Sequence, residues 1–208
     1  MILTTTSVIA VATIGVSLLC FNNRGVFYRL SLNPYSIVKK HQWDRVITHG
    51  FVHADYMHLL INMLVMWSFG RYMESFFSVF RPDLTAVLFS ALYFGGMIAA
   101  CIPDIIKYRD NPYYNSIGAS GAVSALVFAS IFINPWGKLL IMGVIPMPSI
   151  IFGACYLWYE SYMGRRGGDN INHGAHIWGA IYGFIFPIAM DMRMLDIFVE
   201  QLLHPNFF

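Results

Sequence analysis

Apolar residues along this chain gather into long uncharged runs separated by short polar breaks. The first run, Ile2 to Phe21, carries no charge and has the roughly 20 residues needed to cross a hydrocarbon core of about 30 Å. No basic segment precedes it and no A-x-A-like cleavage site comes before Asn22, so it reads as a membrane helix and not as a secretory signal. Met57 to Phe80 forms a second helix and Pro82 marks its break. Leu84 to Ile102 forms a third, which Pro103 is expected to end. The fourth, from about Ser120 to Ile133 after the small residues that begin at Gly118, is short for a full span and stops at Asn134-Pro135. Leu139 to Tyr159 is broken by Ile145-Pro146-Met147-Pro148, which predicts a re-entrant or interfacial turn followed by a fifth helix from Pro148 to Met163. The sixth helix runs from Ala175 to Met190, with Pro187 bending its end, and the tail from Asp191 reads as lying outside the membrane. The expected helices therefore occupy about 2–21, 57–80, 84–102, 118–133, 148–163 and 175–190, an all-α polytopic membrane bundle in a single domain, 1–208.

The breaks differ in character. Arg24 to Gly50 mixes Phe27, Tyr28, Leu30, Tyr35 and Trp43 with five basic residues, a composition suited to lying in the interface; the first loop is thus expected to be partly membrane-embedded. The stretch from Pro103 to Ile117, with Asp104, Lys107, Arg109 and Asp110, reads as water-facing. Gly164 to Asn172 reads as a flexible loop. Arg71 and Glu74, at i,i+3 near the end of the second helix, are placed to pair. Small residues mark helix contacts: Gly95-Gly96, the ridge Gly121, Ala125 and Ala129, and the G-x-x-x-G face Gly179 and Gly183.

Composition agrees with this picture. Of 208 residues, 57% are hydrophobic and only 12% charged, and the mean hydropathy is +0.58, far from the balance of a soluble domain. No cluster of Lys and Arg is interleaved with stacking aromatics, so nucleic acid is not an expected partner. Cys20, Cys101 and Cys155, an odd number in or beside apolar runs, read as buried free thiols.

One geometric consequence bears on chemistry. His58 begins helix two, Ser120 helix four and His176 helix six; even-numbered helices of a serial bundle run the same way, so the three residues share one side of the membrane. Polar groups in hydrocarbon are costly unless they serve a purpose. A serine hydroxyl becomes a nucleophile when a base such as neutral imidazole takes its proton, and the oxyanion formed on attack needs donors. His58, the Asn62 amide and backbone N–H groups at the start of helix four can supply them, while Gly118 and Gly121 allow close backbone approach. Asp169 is the only carboxylate near His176 in sequence, and it lies in the glycine-rich loop, so a Ser-His dyad is expected, its imidazole oriented by packing. His173 is a rival base that precedes the helix. His49 and His53 have the i,i+4 spacing of a metal pair, but no His-Glu-x-x-His occurs, and a His-lined transporter would call for carboxylates within the spans. No metal or cofactor is expected.

The motifs resemble those of the rhomboid family of intramembrane serine proteases. G-x-S-G is present as Gly118-Ala119-Ser120-Gly121 and A-H-x-x-G as Ala175-His176-Ile177-Trp178-Gly179. H-x-x-x-x-H-x-x-x-N is present as His53, His58 and Asn62. Trp43-Asp44-Arg45 is similar to the W-R region of the first loop, and Ile145-Pro146-Met147-Pro148 to the turn before helix five. The resemblance implies a six-helix rhomboid-like bundle with Ser120 as nucleophile and His176 as general base and acid. His58 and Asn62, with the Ser120 amide and Gly118 beside them, would stabilise the oxyanion, and His53 would support. It further implies cleavage of peptide bonds in or near transmembrane helices of membrane-protein substrates, without cofactor, in a cavity open to the non-cytoplasmic side and reached laterally past helix five. The lipid bilayer is the other implied partner, and the alternative is a non-proteolytic, chaperone-like relative. The bare six-helix form points to a bacterial inner (plasma) membrane. Two features depart from the family. Ser124 stands where many members carry an aromatic residue that stacks on the catalytic imidazole. With the amino terminus inside, nine of the 13 Lys and Arg fall on the outer segments, so the positive-inside rule alone favours the reverse orientation.

Overall fold

The computed structural model describes residues 4–141 and 144–205; Ile2 and Leu3 of the expected first helix, and 206–208 of the expected domain, lie outside them. Helix α1, Thr5–Asn22, starts at Thr4, whose hydroxyl accepts from the Ser7 N–H. The first loop is helical in short pieces: α2 (Arg24–Leu30), α3 (Pro34–Lys40), α4 (Arg45–Thr48) and a 3-10 turn at His49–Phe51. Asn33-Pro34 is not a mere interruption. The Asn33 side chain caps α3 by accepting from the Ser36 N–H, and Pro34 takes the first helical position, where a missing N–H costs nothing. Buried Arg45 ties these pieces together by donating to the carbonyls of Tyr28 (2.7 Å) and Ser31 (2.6 Å).

Helix α5 (Tyr56–Phe80) begins at Asp55, whose carboxylate accepts from the His58 N–H. Helix α6, Thr85–Tyr108, runs past the expected stop, with Pro103 inside it. Proline removes one backbone donor, but here the helix continues and carries Asp104 into the interior. Asp104 is therefore not water-facing: it is buried and accepts hydrogen bonds from the Tyr114 hydroxyl (2.7 Å) and the Asn172 amide. Next come α7 (Ser120–Ile133), α8 (Ser149–Arg166), α9 (His173–Met190) and α10 (Arg193–Leu203). The re-entrant turn expected before α8 is instead a two-stranded antiparallel hairpin, β1 (Lys138–Ile141) with β2 (Ile145–Pro148). Pro146 and Pro148 have no N–H to donate, which suits a hairpin whose outer edges face no further strand among the described residues. The tail continues as α10, with Phe198 stacked on Phe132 at 4.6 Å.

The fold is an all-α bundle. By length and composition, Thr5–Asn22 and Pro82–Tyr108 can each cross a membrane, and Ser120–Ile133 is a shorter apolar helix. Helix α7 is the axis: every residue from Gly121 to Phe132 is buried, enclosed by α5, α6 and α9. Its contact with α9 is close because glycine is present on both sides. A Cβ on Gly179 would meet the Gly121 carbonyl oxygen at 2.1 Å, and one on Gly183 the Ala125 carbonyl oxygen at 2.1 Å.

Helices α5, α7 and α9 all start at one end of the bundle, and α1 starts at the other. There the buried Glu74 carboxylate, near the end of α5, accepts from the Thr5 N–H and the Thr6 hydroxyl, both at 2.6 Å. The expected Arg71–Glu74 pair is not formed; the first turn of α1 has N–H groups without helical partners and Glu74 meets that need. The Arg71 guanidinium lies over the Trp67 ring, 5.5 Å from its centre.

Candidate active site

The segment leading into α7 is held from both sides. Leu32 and Ser116 exchange backbone hydrogen bonds at 2.9 and 3.0 Å, fastening it to the first loop. Gly118 then takes a φ of +110° and donates its N–H to the His49 carbonyl at 3.0 Å. A side chain is excluded there twice over, by that φ and by the His58 ring, whose Cε1 and Nε2 would lie 2.9 and 3.0 Å from a Cβ. Gly118 contributes conformation, and its N–H is engaged by the His49 carbonyl; the Ser120 N–H lies in the first turn of α7, where no helical carbonyl can reach it.

Two histidines of the first loop fix this segment. The Ala119 N–H donates to His53 Nε2 at 3.4 Å, which leaves the proton on Nδ1, 3.0 Å from the Ser17 oxygen; Ser17 donates onward to the Phe51 carbonyl at 2.8 Å. His49 donates through Nδ1 to the Arg45 carbonyl at 3.0 Å. Burial pushes His49 down to about 4 and His53 to about 3, so both rings are neutral at physiological pH. Their i,i+4 spacing serves two separate hydrogen-bond networks.

The other side chains arrive from helix starts. His58 Nδ1 accepts from the Ala54 N–H at 3.4 Å, so the ring proton sits on Nε2, on the side facing Gly118 and Ser120. One Asn62 amide N–H is engaged by the His58 carbonyl at 2.9 Å. His58, Asn62, Ser120, Ser124 and His176 all line one open cleft of about 1250 Å³. The α9 end of that cleft is anchored by Asn172, whose side-chain oxygen caps the Ala175 N–H at 3.1 Å. Its amide donates to Asp104 and, at 3.1 Å, to the Ser116 hydroxyl. The start of α9 is thereby tied to the end of α6 and to the segment before Ser120.

Two residues that the motif reading passed over surround His176. Glu160 of α8, buried, places Oε1 3.0 Å from His176 Nδ1 and Oε2 2.5 Å from His173 Nδ1. Asp169 does not contact His176; it faces His173 Nε2 at 3.1 Å. Tyr156, also on α8, lays its ring alongside the His176 imidazole, with centres 6.4 Å apart and planes at 28°, and its hydroxyl lies 3.0 Å from Ser124 Oγ. Ser124 therefore occupies the position of the missing aromatic and binds the aromatic that replaces it. The available signal for Glu160 was a carboxylate one position beyond an apolar run, a placement that marks function by default. The ligand atoms of Glu160, His173 and His176 lie within 4.8 Å of one another, a spacing a divalent ion could use, and both Glu160 oxygens are engaged by the two Nδ1 atoms.

Residues 40–192 match the family model described as a Rhomboid domain. The chain is 28% identical over 186 residues to RHOMBOID-like protein 12, mitochondrial, of Arabidopsis thaliana, covering 83% of this chain and 54% of that one. It is 26% identical to Rhomboid protein 1, mitochondrial, of Saccharomyces cerevisiae (68% and 40% covered) and 25% identical to Rhomboid protease GluP of Bacillus subtilis (81% and 30% covered). The chain thus spans about half or less of the length of these relatives.

Proposed function

The chain belongs to the rhomboid family of integral membrane proteins, and from that premise we propose that it is an intramembrane serine endopeptidase working through Ser120 and His176. The observation that supports this reading is convergence: three helices start at one end of the bundle and bring Ser120, His58 and His176 to the wall of a single cleft. One relative, GluP of Bacillus subtilis, is itself a rhomboid protease by name.

In this reading Ser120 Oγ attacks the scissile carbonyl as His176 Nε2 takes its proton. The oxyanion is received by the Ser120 N–H, by the Nε2–H of His58 and by the remaining N–H of Asn62. The proton then passes from His176 to the leaving amine nitrogen, and water admitted through the cleft repeats the sequence to release the acyl group. The substrate must be extended where it is cut, so a transmembrane helix containing Gly or Pro, which unwinds most cheaply, is the favoured class. Helix α8 buries only Ser149, Gly153 and Glu160 among its described residues, making it the least enclosed wall of the cleft and the side from which a helix in the bilayer would approach. The single domain and six spans of the sequence reading belong to this proposal, as does a cleft opening on the non-cytoplasmic side, opposite the start of α1. Two of the relatives named above are mitochondrial and one bacterial, so they lend no support to a bacterial plasma membrane in particular.

The test is cleavage of a Gly-containing transmembrane substrate by the purified protein in detergent, together with labelling of Ser120 by a fluorophosphonate. Ser120→Ala and His176→Ala should each abolish cleavage with the fold intact, and a chelator should leave it unchanged. Absence of both label and cleavage in the parent protein supports the non-proteolytic alternative.

A further inference from the structure

We infer that Glu160 is a positioning residue for His176, and that it is itself held by a second imidazole, His173, braced on Asp169. The inference rests on the protease reading of the cleft and extends its two-residue site by a connected row behind His176: Asp169, His173, Glu160 and His176 are linked by hydrogen bonds, and Ser120 lines the same cleft.

Donor and acceptor accounting carries it. Glu160 is 4% exposed, and a carboxylate so enclosed persists only when its oxygens are matched by donors. Each oxygen meets a different imidazole, and both meetings are at Nδ1: Oε1 with His176 at 3.0 Å, Oε2 with His173 at 2.5 Å. An ionised carboxylate has no proton to give, so both Nδ1 atoms are donors. For His176 this selects the tautomer with Nδ1–H, leaving Nε2 with its lone pair free for the Ser120 hydroxyl, the state a general base requires. For His173 the accounting goes further. Its Nε2 faces Asp169 at 3.1 and 3.2 Å, another acceptor, so His173 carries a proton on each nitrogen and sits as a cation between two carboxylates.

This arrangement does two things for the reaction. It holds the His176 ring by a hydrogen bond on one edge, while Tyr156 supports its face. It also sets a negative charge beside His176 at the moment the ring accepts the serine proton. No proton moves to Glu160: the one leaving Ser120 Oγ stays on His176 Nε2 until the amine nitrogen departs with it. Glu160 comes from α8 and His176 from α9, sixteen residues later, so the pairing fixes one wall of the cleft to the other.

The experiment combines kinetics with ring-nitrogen NMR on the full-length protein, labelled with 15N-histidine, in micelles. The parent should show the Nδ1–H tautomer at His176, and Glu160→Ala should lose it. In cleavage assays Glu160→Ala should lower kcat by about 10²–10⁴-fold with KM within about twofold, as expected when a base adopts the wrong tautomer. Glu160→Gln serves as the conservative variant, and a thermal melt ensures that it is compared folded. Its amide oxygen can still accept from His176 Nδ1 while its NH₂ donates to a neutral His173, so the tautomer should persist and kcat should lie well above that of Glu160→Ala. Retention of the Nδ1–H tautomer in Glu160→Ala, or a kcat within threefold of the parent, overturns the inference. If the parent neither cleaves nor takes the fluorophosphonate, the protease reading fails, and the tautomer measurement still decides whether Glu160 orients His176.

Discussion

Replacing Gly179 by alanine adds one methyl group at a close backbone contact between α9 and α7. That methyl carbon would lie 2.1 Å from the Gly121 carbonyl oxygen, 2.8 Å from its carbon and 3.0 Å from its Cα, all backbone of α7. No flexible side chain can yield, so reaching even 3.0 Å requires α7 and α9 to part by about 1 Å. Ser120 is the residue before Gly121, and His176 lies one turn before Gly179 on the same face, so the separation passes directly to the reacting pair. Two effects of different size follow. Overpacking costs about 1–3 kcal/mol, offset by about 1 kcal/mol from the better helix propensity of alanine. The protein should therefore stay folded with a modestly lower melting temperature. A displacement of about 1 Å between nucleophile and base costs about 10²-fold in rate, so activity should fall far more than stability. The assay is the initial rate of cleavage of a fluorogenic transmembrane substrate, at a temperature where the melt shows both proteins folded. Gly15→Ala in α1 is the control: nothing lies within 4 Å of that site, so rate should hold and stability stay equal or rise. Gly179→Ala with a rate within threefold of the parent would refute the claim that the α7–α9 distance sets the geometry of the pair.

Other changes probe single contacts. Tyr156→Ala removes the ring beside His176 and should lower kcat about 2- to 10-fold, the worth of one aromatic contact, whereas Tyr156→Phe, which loses only the hydroxyl bound by Ser124, should cost less; single-turnover cleavage separates them. Asn62→Ala should slow cleavage by about 10²-fold, the effect of one lost oxyanion donor, and by less than Ser120→Ala; an equal loss would assign Asn62 a structural role through its bond to the His58 carbonyl. Acid should loosen the first loop. Buried His49 and His53 resist protonation until about 4 and 3, while the unfolded chain binds those protons near the usual 6.5. The unfolded state thus holds more protons below that pH, and each histidine withdraws about 1.4 kcal/mol of stability per pH unit from about 6.5 down to about 4. Melts at pH 7.5 and 5 measure it, and identical values would contradict the neutral, buried assignment.

The parts of the site readable in the sequence were those set by helix direction and by small residues. His58, Ser120 and His176 could be brought to one end without coordinates because alternate helices run parallel, and the glycines of α7 and α9 announced a close contact that Gly179 and Gly183 duly make. What escaped was whatever depended on rotation about a helix axis. Glu160 sits at the margin of an apolar run, and no spacing rule relates it to His176 on the next helix; only the turn of α8 aims it inward. Tyr156, one turn earlier on the same helix, escaped for the same reason. Pro103 misled because proline was read as a stop, while the helix tolerates it and goes on to place Asp104 under the Asn172 cap. Arg71 and Glu74 misled because neighbours along one helix were paired, when the start of α1 presents Glu74 with better donors.

The length of α7 acts as a depth gauge. Its 14 residues amount to roughly 21 Å of helix, against a hydrocarbon core of about 30 Å. In the six-span reading, with its far end at one membrane surface, Ser120 at its beginning would lie roughly 9 Å beneath the other, at a level where unpartnered backbone would be intolerable unless water follows it down. On the same reading the cleft would admit that water, and its floor would be set by where the helix starts. On the proposed protease reading, a bond cut at Ser120 would lie some six residues inside the hydrophobic stretch of a helical substrate, counted at about 1.5 Å per residue from its outer end. The depth of the proposed cut would follow from the number of residues that α7 lacks.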